Sequence, residues 1–133
     1  MIDIENAIIN MVHNTLIAYY PNITVYSDNY KLPETFPTVN ITECDNYITK
    51  DLYDSSGIEK FTNVMYQVDV YSNDLSGRKA QAKHILQLVD STLNDCGFLR
   101  TSVMDVPTNT ENLYRITARY KATVEFDKTI YRG

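Results

Sequence analysis

The hydrophobic pattern of the first twenty residues is typical of an amphipathic helix. From Asp3 to about Tyr20 the apolar residues recur every three or four positions, which places them on one side of a helix. Asp3 is a candidate N-cap, and Pro21 ends the segment. The predicted stripe consists of Ile4, Ile8, Met11, Thr15 and Tyr19, with Ala7, Val12 and Leu16 beside it.

After Pro21 the hydrophobic period changes from about 3.6 to two, which is typical of strands. Residues 22–27 and 38–48 predict two strands, and prolines and polar residues between them predict an irregular loop. The next stretch, about 49–60, has neither period and predicts a mobile loop. Leu52 and Tyr53 stand out as apolar residues within that polar loop.

The second half of the chain predicts a long strand followed by a helix. Residues 61–72 alternate clearly, and one face carries Val64, Tyr66, Val68 and Val70. Helical spacing then runs from about Leu75 to Cys96, with Asp74 or Ser76 as candidate N-cap. Gly97 falls where a left-handed residue is wanted after the last turn of a helix. The apolar positions of this helix are Ala82, Ile85, Leu86, Val89, Leu93 and Cys96.

Two further strands close the pattern. Residues 98–106 predict one strand, Pro107 lies in the turn that follows, and residues 114–126 predict the longest strand of the chain. The predicted order is therefore α-β-β-β-α-β-β. Helices separated by such strands predict an α+β domain with a single antiparallel or mixed sheet of about four to five strands and both helices on one face. A chain of 133 residues fits one domain spanning 1–133.

The formal net charge of −5 argues against a general nucleic-acid binder, whose surface would be basic. One local basic cluster has regular geometry, because Arg115, Arg119 and Lys121 project from the same side of the last long strand. This strand face is a candidate contact for a neighbouring subunit or for DNA. An ordinary solvated strand face is the alternative interpretation.

The sequence lacks the residue patterns that catalysis or metal binding would need. His13 and His84 each lie in the middle of a predicted helix, without a nucleophile motif. Cys44 and Cys96 are far apart and belong to no metal-binding spacing, so we expect two free thiols. We therefore expect no catalytic residues, no metal and no cofactor. No apolar run approaches the roughly 20 residues of a membrane span, and the acidic amino terminus indicates a cytoplasmic protein.

The order of elements in the second half resembles one family of viral assembly proteins. A strand of the form YQVDVY at 66–71 precedes a helix that ends in Gly97-Phe98, and a strand with Pro107 after it precedes YRITARY at 114–120. This succession, over about 61–132, is similar to the tail terminator or tail completion proteins of long-tailed bacteriophages, which take part in head-tail joining.

The resemblance implies a structural protein of the virion tail or neck, made in the cytoplasm of the bacterial host. Such subunits form a hexameric ring on the tail tube, end its polymerisation and bind the head completion or connector protein. Genomic DNA passes through the ring without sequence-specific binding, and no membrane is involved. On this reading the loop with Leu52 and Tyr53 contacts the major tail tube protein.

Three other classes of function remain open from the sequence. Another phage neck or minor capsid adaptor could share the fold class. A ferredoxin-like module that binds a small ligand or RNA is a second alternative, although the exposed face of the last strand carries no aromatic residue for stacking on bases. An enzyme with an unrecognised site is the third.

Overall fold

The computed structural model of the protein describes residues 3–27, 36–47, 61–74, 76–107, 113–125 and 130–131. The predicted α+β class and element order are confirmed, and a short strand is added at the carboxyl end. The elements are α1 (Glu5–Ile17), β1 (Thr24–Tyr26), β2 (Thr38–Tyr47), β3 (Phe61–Ser72), α2 (Arg78–Asp95), β4 (Leu99–Val106), β5 (Tyr114–Glu125) and β6 (Ile130–Tyr131).

The strands form one mixed sheet in the order β1-β2-β3-β5-β4, and β6 pairs with β5 beyond the end of β4. Only the pairing of β1 with β2 is parallel among these contacts. Helix α1 lies over β1 and β2, helix α2 lies over β3, β5 and β4, and the two helices contact each other. Both helices cover the same face, since their apolar residues and one face of the sheet form a single core.

The core follows directly from the alternation in β3 and β5. The even-numbered residues of both strands point towards the helices, and the register pairs Val68 with Ala118 and Tyr66 with Tyr120. Both tyrosines are buried, and the Tyr66 ring meets Phe98 edge to face at a centroid distance of 5.8 Å. Such aromatic pairs add to the hydrophobic stabilisation of burial. The predicted core face of β3 is therefore the observed one.

The buried stripe of α1 differs from the predicted one. The buried residues are Ile4, Ile8, Val12 and Leu16, a strict spacing of four, while Tyr19 is 60% exposed. The reason is that α1 ends at Ile17, so Tyr19 no longer follows the helical path. The N-cap position is Ile4 rather than Asp3, although the Asp3 carboxylate accepts a hydrogen bond from the backbone N–H of Glu5 at 3.0 Å.

Helix α2 begins later than the pattern predicted. Its first residue is Arg78, and its N-cap is Gly77 rather than Asp74 or Ser76. The Asp74 carboxylate instead accepts hydrogen bonds from the backbone N–H and the hydroxyl of Ser76, in the turn before the helix. These two polar residues hydrogen-bond to each other within the turn, as Asp and Ser commonly do, and not to the end of the helix.

The carboxyl end of α2 confirms the prediction for Gly97. This glycine has φ 103°, the left-handed conformation that residues with a Cβ avoid. Its N–H bonds the Asn94 carbonyl at 3.0 Å, and the Phe98 N–H bonds the Leu93 carbonyl at 2.9 Å. This pair of bonds is a Schellman motif, and it directs the buried Phe98 ring back onto the core as β4 begins.

Candidate interaction surfaces

The face of the sheet opposite the helices is polar, yet much of it is buried. The register places these residues in cross-strand rows, for example Asn40 opposite Asp69 and Asp69 opposite Thr117. Buried polar groups need hydrogen-bond partners, because an unsatisfied group costs about 1–3 kcal/mol. The buried polar residues that the register assigns to this face are Thr38, Asn40, Thr42, Asp69 and Thr117.

Asp69 is the centre of a hydrogen-bond network on this face. Its side chain is 4% exposed, and one carboxylate oxygen accepts bonds from Arg115 Nε at 3.1 Å and from an Arg115 terminal nitrogen at 2.9 Å. The same oxygen accepts a bond from the Thr117 hydroxyl, and the second oxygen accepts one from Gln67 Nε2 at 3.1 Å. The Arg115 guanidinium also lies over the Tyr71 ring, 5.4 Å from its centroid. The buried charge of Asp69 is thus neutralised by a matched partner.

This network divides the predicted basic cluster. Arg115 is held by Asp69 and Tyr71, so its guanidinium supports the sheet and has little freedom to meet a partner. Arg119 and Lys121 are exposed on the same face, in rows with Ser102 and Leu99 of β4. The structure shows no carboxylate paired with either of them within the described ranges. Their role in a subunit or DNA contact stays a prediction.

The edge strand β4 is a surface that the sequence pattern did not single out. Its first seven residues are all exposed, including three large apolar ones. Leu99 and Met104 are each 59% exposed and Val103 is 42% exposed. Among the described residues no strand pairs with its outer side, so its backbone donors and acceptors on that side are open to a partner. The irregular sequence of residues 99–106, without a clean alternation, was the available signal that neither face of this strand enters the core.

Two acidic residues fix β4 against the rest of the domain. Asp90 on α2 accepts a hydrogen bond from the Tyr120 hydroxyl at 2.9 Å and pairs with Arg100 of β4 at 3.3 Å. Burial, together with the bond to Asp90, raises the pKa of Tyr120 above its ordinary value. At the other end of β4, Asp105 accepts a 2.5 Å bond from the Tyr114 hydroxyl. Burial, followed by that bond, raises the pKa of Tyr114 to about 12.

His84, one of the two histidines, joins α2 to the residues that follow α1. Its Nδ1 lies 2.6 Å from the Tyr20 hydroxyl, and the Tyr19 ring meets it edge to face at 6.0 Å. Within the described ranges, no group of three or more His, Cys, Asp or Glu side chains is placed to hold a metal ion. Neither described helix is long and apolar enough to cross a membrane.

The two cysteines lie in different parts of the domain. Cys44 is exposed and lies in the second half of β2, where the register with β3 shifts. Its thiol donates a hydrogen bond to the Met65 carbonyl at 3.4 Å. Cys96 is partly buried, with its sulfur 3.0 Å from that of Met11. Neither cysteine forms a disulfide. Cys96, Met11 and Ile8 also line an apolar cavity of about 400 Å³ beside α1.

Leu52 and Tyr53, the predicted contact residues of the 49–60 loop, lie outside the described residues. Their contact with a tail tube stays a prediction.

Comparison with known proteins identifies the fold. No protein-family model matches the chain, and no curated protein matches it. Among solved structures, the fold is similar to a chain from the virion of a native gene transfer agent particle, with a TM-score of 0.67. The two sequences are 18% identical, and the similarity covers 91% of this chain and 93% of that chain. The likeness therefore extends over the whole fold rather than over one shared motif.

Proposed function

We propose that the protein is a structural subunit of a phage or phage-like virion, and more specifically a tail terminator. In this role a hexameric ring of the chain closes the head-proximal end of the tail tube, ends its polymerisation and joins the tail to the head connector. The observation that carries the proposal is the fold likeness to a chain of a gene transfer agent virion, which covers nearly all of both chains. The order of elements over 61–132 supports the finer assignment.

The exposed surfaces fit an assembly protein. A subunit of a ring must keep contact surfaces that folding alone does not satisfy, and β4 provides an open edge with Leu99 and Met104 exposed. A modest contact on each subunit is sufficient once the ring closes, because closure makes the last contact intramolecular. Arg119 and Lys121 add a charged patch next to that edge.

The ring works by binding rather than by chemistry in this proposal. The tyrosines whose pKa is raised, such as Tyr66, Tyr114 and Tyr120, make structural hydrogen bonds to carboxylates. We propose that the protein has no catalytic activity and no cofactor. Its partners are further copies of itself, the tail tube protein and the head completion protein, and genomic DNA passes through the ring.

The experiment is a capping assay with tail tubes of the same virus. Purified protein is added to growing tubes, and tube length and end occupancy are measured by electron microscopy. We expect tubes of defined length with a ring at one end, and longer tubes without the protein. Binding to the isolated head connector without any effect on tubes would instead indicate a neck adaptor.

The predicted tube contact is tested in the same assay. Shortening the loop around Leu52 and Tyr53 should leave the fold intact and abolish capping. A shortened variant that folds and still caps tubes would exclude this loop as the tube contact.

A further inference from the structure

The charge of the chain is divided between its two halves. Residues 1–60 contain three Lys or Arg and nine Asp or Glu, which gives a net charge of −6. Residues 61–133 contain nine Lys or Arg and eight Asp or Glu, which gives a net charge of +1. The asymmetry is stronger in the described elements: α1, β1, β2 and the residues between α1 and β1 contain no Lys or Arg. The acidic residues of this part are Glu5, Glu43 and Asp45, and Asp3 lies just before α1.

The fold places this asymmetry at opposite edges of the sheet. Helix α1, β1 and β2 form one side, and Ser27 beside β1 donates a hydrogen bond to Glu5 at 2.7 Å, which locates that carboxylate at this edge. Strand β4 forms the other edge. Exposed basic residues lie near it, with Lys121 in the row of Leu99 and Lys83 beside Arg100 in a groove between α2 and β4. One edge is therefore acidic, whereas at the other the basic groups Lys83, Arg100, Arg119 and Lys121 outnumber the carboxylates of Asp90 and Asp105.

Both edges expose backbone within the described part of the sheet. Strand β1 pairs with β2 at Thr38–Asn40, and Ile41 and Thr42 are buried, so the accessible outer side of β2 that has no strand partner in this part of the sheet runs from 43 to 47. This half of β2 contains the exposed Asp45 and Tyr47, the latter 45% exposed. The outer side of β4 is open along its length, and Leu99, Val103 and Met104 line it. Each edge thus combines hydrogen-bonding backbone with exposed apolar side chains.

We propose that the β4 edge of one subunit binds the β2 edge of a second copy of this chain, head to tail. This inference rests on the proposed ring and names its subunit contact. Strand β2 runs antiparallel to β3, β3 to β5 and β5 to β4, so β4 runs antiparallel to β2. A neighbour whose helices face the same way therefore presents β2 to β4 in antiparallel orientation, and the sheet continues from one subunit into the next. The same contact repeats at every interface, as a heterologous ring requires.

The side chains of the two edges are complementary in this arrangement. A single row across the helix-free face runs Asp45, Met65, Lys121, Leu99, from the acidic edge to the basic edge. In the joined sheet Leu99 of one copy faces the β2 edge of the next, and Lys121 lies one strand behind it. Two strand spacings are about 10 Å, which is one Debye length at about 0.1 M salt, so Lys121 of one copy attracts Asp45 of the next, and the attraction grows as the salt concentration falls.

The first test reverses one charge on each edge. Lys121→Glu and Asp45→Lys each place like charges across every interface, and we expect each to weaken ring assembly about tenfold or more, measured by light scattering or native mass spectrometry. Mixing the two variants in equal amounts should restore assembly, because alternating subunits make every interface attractive again in a six-membered ring. Assembly of both single variants at the wild-type concentration would overturn the proposal, as would failure of the mixture to recover.

Control variants carry the same charge changes elsewhere. Asn10 and Asn14 are exposed on the outer side of α1. The double changes Asn10→Asp with Asn14→Asp, and Asn10→Lys with Asn14→Lys, match the −2 and +2 charge changes of the edge variants. Both controls should assemble as the wild type does, so a loss in them would attribute the effect to net charge rather than to the edges.

A second test uses the native thiol at the β2 edge. Cys44 is free and exposed there, and with Asp45 opposite Leu99 it lies opposite Arg100 of the neighbouring copy. A new cysteine on β4, at Leu99, Arg100 or Thr101 in turn, would therefore link one copy to the next under mild oxidation. We expect at least one variant to give a ladder of linked oligomers, with peptide mapping that joins Cys44 to the new position. Linkage only between identical positions, or no linkage at the highest concentration and on tail tubes, would overturn head-to-tail pairing.

The outcomes separate this inference from the proposed function. Wild-type protein that caps tail tubes, together with edge variants that cap equally well, would reject the interface and leave the tail terminator role intact. Wild-type protein that forms the mapped ladder but never caps tubes would support the interface and reject the role.

Discussion

The two faces of the sheet are stabilised by different interactions. The face under the helices is mostly apolar. Its buried polar groups include the hydroxyls of Tyr66 and Tyr120, which bond to Glu43 and Asp90, and the hydroxyl of Ser72, which bonds to Gln81 of α2. The helix-free face buries a charge, Asp69, and satisfies it with Arg115, Thr117 and Gln67. Hydrophobic burial therefore stabilises the face under the helices, whereas a hydrogen-bond network stabilises the helix-free face.

The comparison explains why exposed basic side chains remain on the helix-free face. Where the network of Asp69 ends, the same row of β5 continues into Arg119 and Lys121, which are exposed. Burying an ion pair costs desolvation free energy, which close hydrogen-bonded geometry must offset. Exposed charges have little desolvation cost and stay accessible to solvent and to other molecules. Residues on one strand thus change, within six positions, from a structural role to the binding role that we propose for Arg119 and Lys121.

The largest expected effect comes from breaking the apolar face. Val89 is fully buried on the side of α2 that packs on the core, so Val89→Asp places an unpaired carboxylate there. The cost of several kcal/mol compares with a total stability of roughly 5–15 kcal/mol, and we expect the domain to unfold. Circular dichroism and thermal melting measure this. Gln87→Asp, on the exposed side of α2, should melt near the wild type; a well-folded Val89→Asp variant would refute the helix phase.

Breaking the polar face should cost less but remain large. Asp69→Ala leaves the Arg115 guanidinium without its carboxylate, and we expect a loss of about 3 kcal/mol in the free energy of unfolding. The matched variant Arg100→Ala breaks the exposed pair with Asp90 and should cost less than about 1 kcal/mol. Urea denaturation of both variants compares the two. Equal losses would mean that the Asp69 network stabilises no more than a surface pair.

The Tyr120 ring is buried in the core and its hydroxyl bonds to Asp90. We therefore expect the stability of the fold to fall at alkaline pH. The folded pKa of Tyr120 is raised by burial and then by the bond to Asp90, so its contribution is complete below its ordinary pKa of about 10 and is lost as the pH rises above that value. Tyr120→Phe should cost about 1 kcal/mol at pH 7 and make the decline in stability above pH 10 shallower. Urea denaturation at pH 7, 10 and 11 measures both. An unchanged alkaline decline would show that other tyrosines cause it; Tyr19→Phe serves as the exposed control.

The smallest effect on stability is expected where the proposed effect on assembly is large. Arg119 is exposed on the helix-free face, and Arg119→Glu should change the free energy of unfolding by less than about 0.5 kcal/mol. The same change should weaken ring formation, because Arg119 lies next to Lys121 in the basic patch. Thermal melting and native mass spectrometry on one sample separate the two effects. A drop in stability equal to that of Asp69→Ala would place Arg119 in the structural network instead.

The sequence was informative wherever one period dominated. The alternation in residues 61–72 predicted the bounds of β3 and its core face, and Gly97 predicted the end of α2 because few residues other than glycine adopt its left-handed backbone. The start of α2 was less predictable. Asp74 and Ser76 have the chemistry of helix caps, but they bond to each other first, and the helix begins after Gly77.

The candidate site was only partly visible in the sequence. Alternation placed Arg115, Arg119 and Lys121 on one strand face, but it could not show that Asp69, 46 residues earlier in the chain, binds the first of them. That pairing depends on the β3–β5 register, which long-range packing sets. The open edge of β4 could not be predicted for the same reason, because local periodicity does not determine the order of strands in a sheet.

The central claim is that this chain closes a tail tube as a ring, and electron cryomicroscopy of tail tubes with added protein tests it most directly. We expect six copies at one end of each tube, with sheets joined between neighbouring subunits and no further tube growth at that end. Bare tube ends in the presence of excess folded protein, or protein bound along the length of the tube, would contradict it.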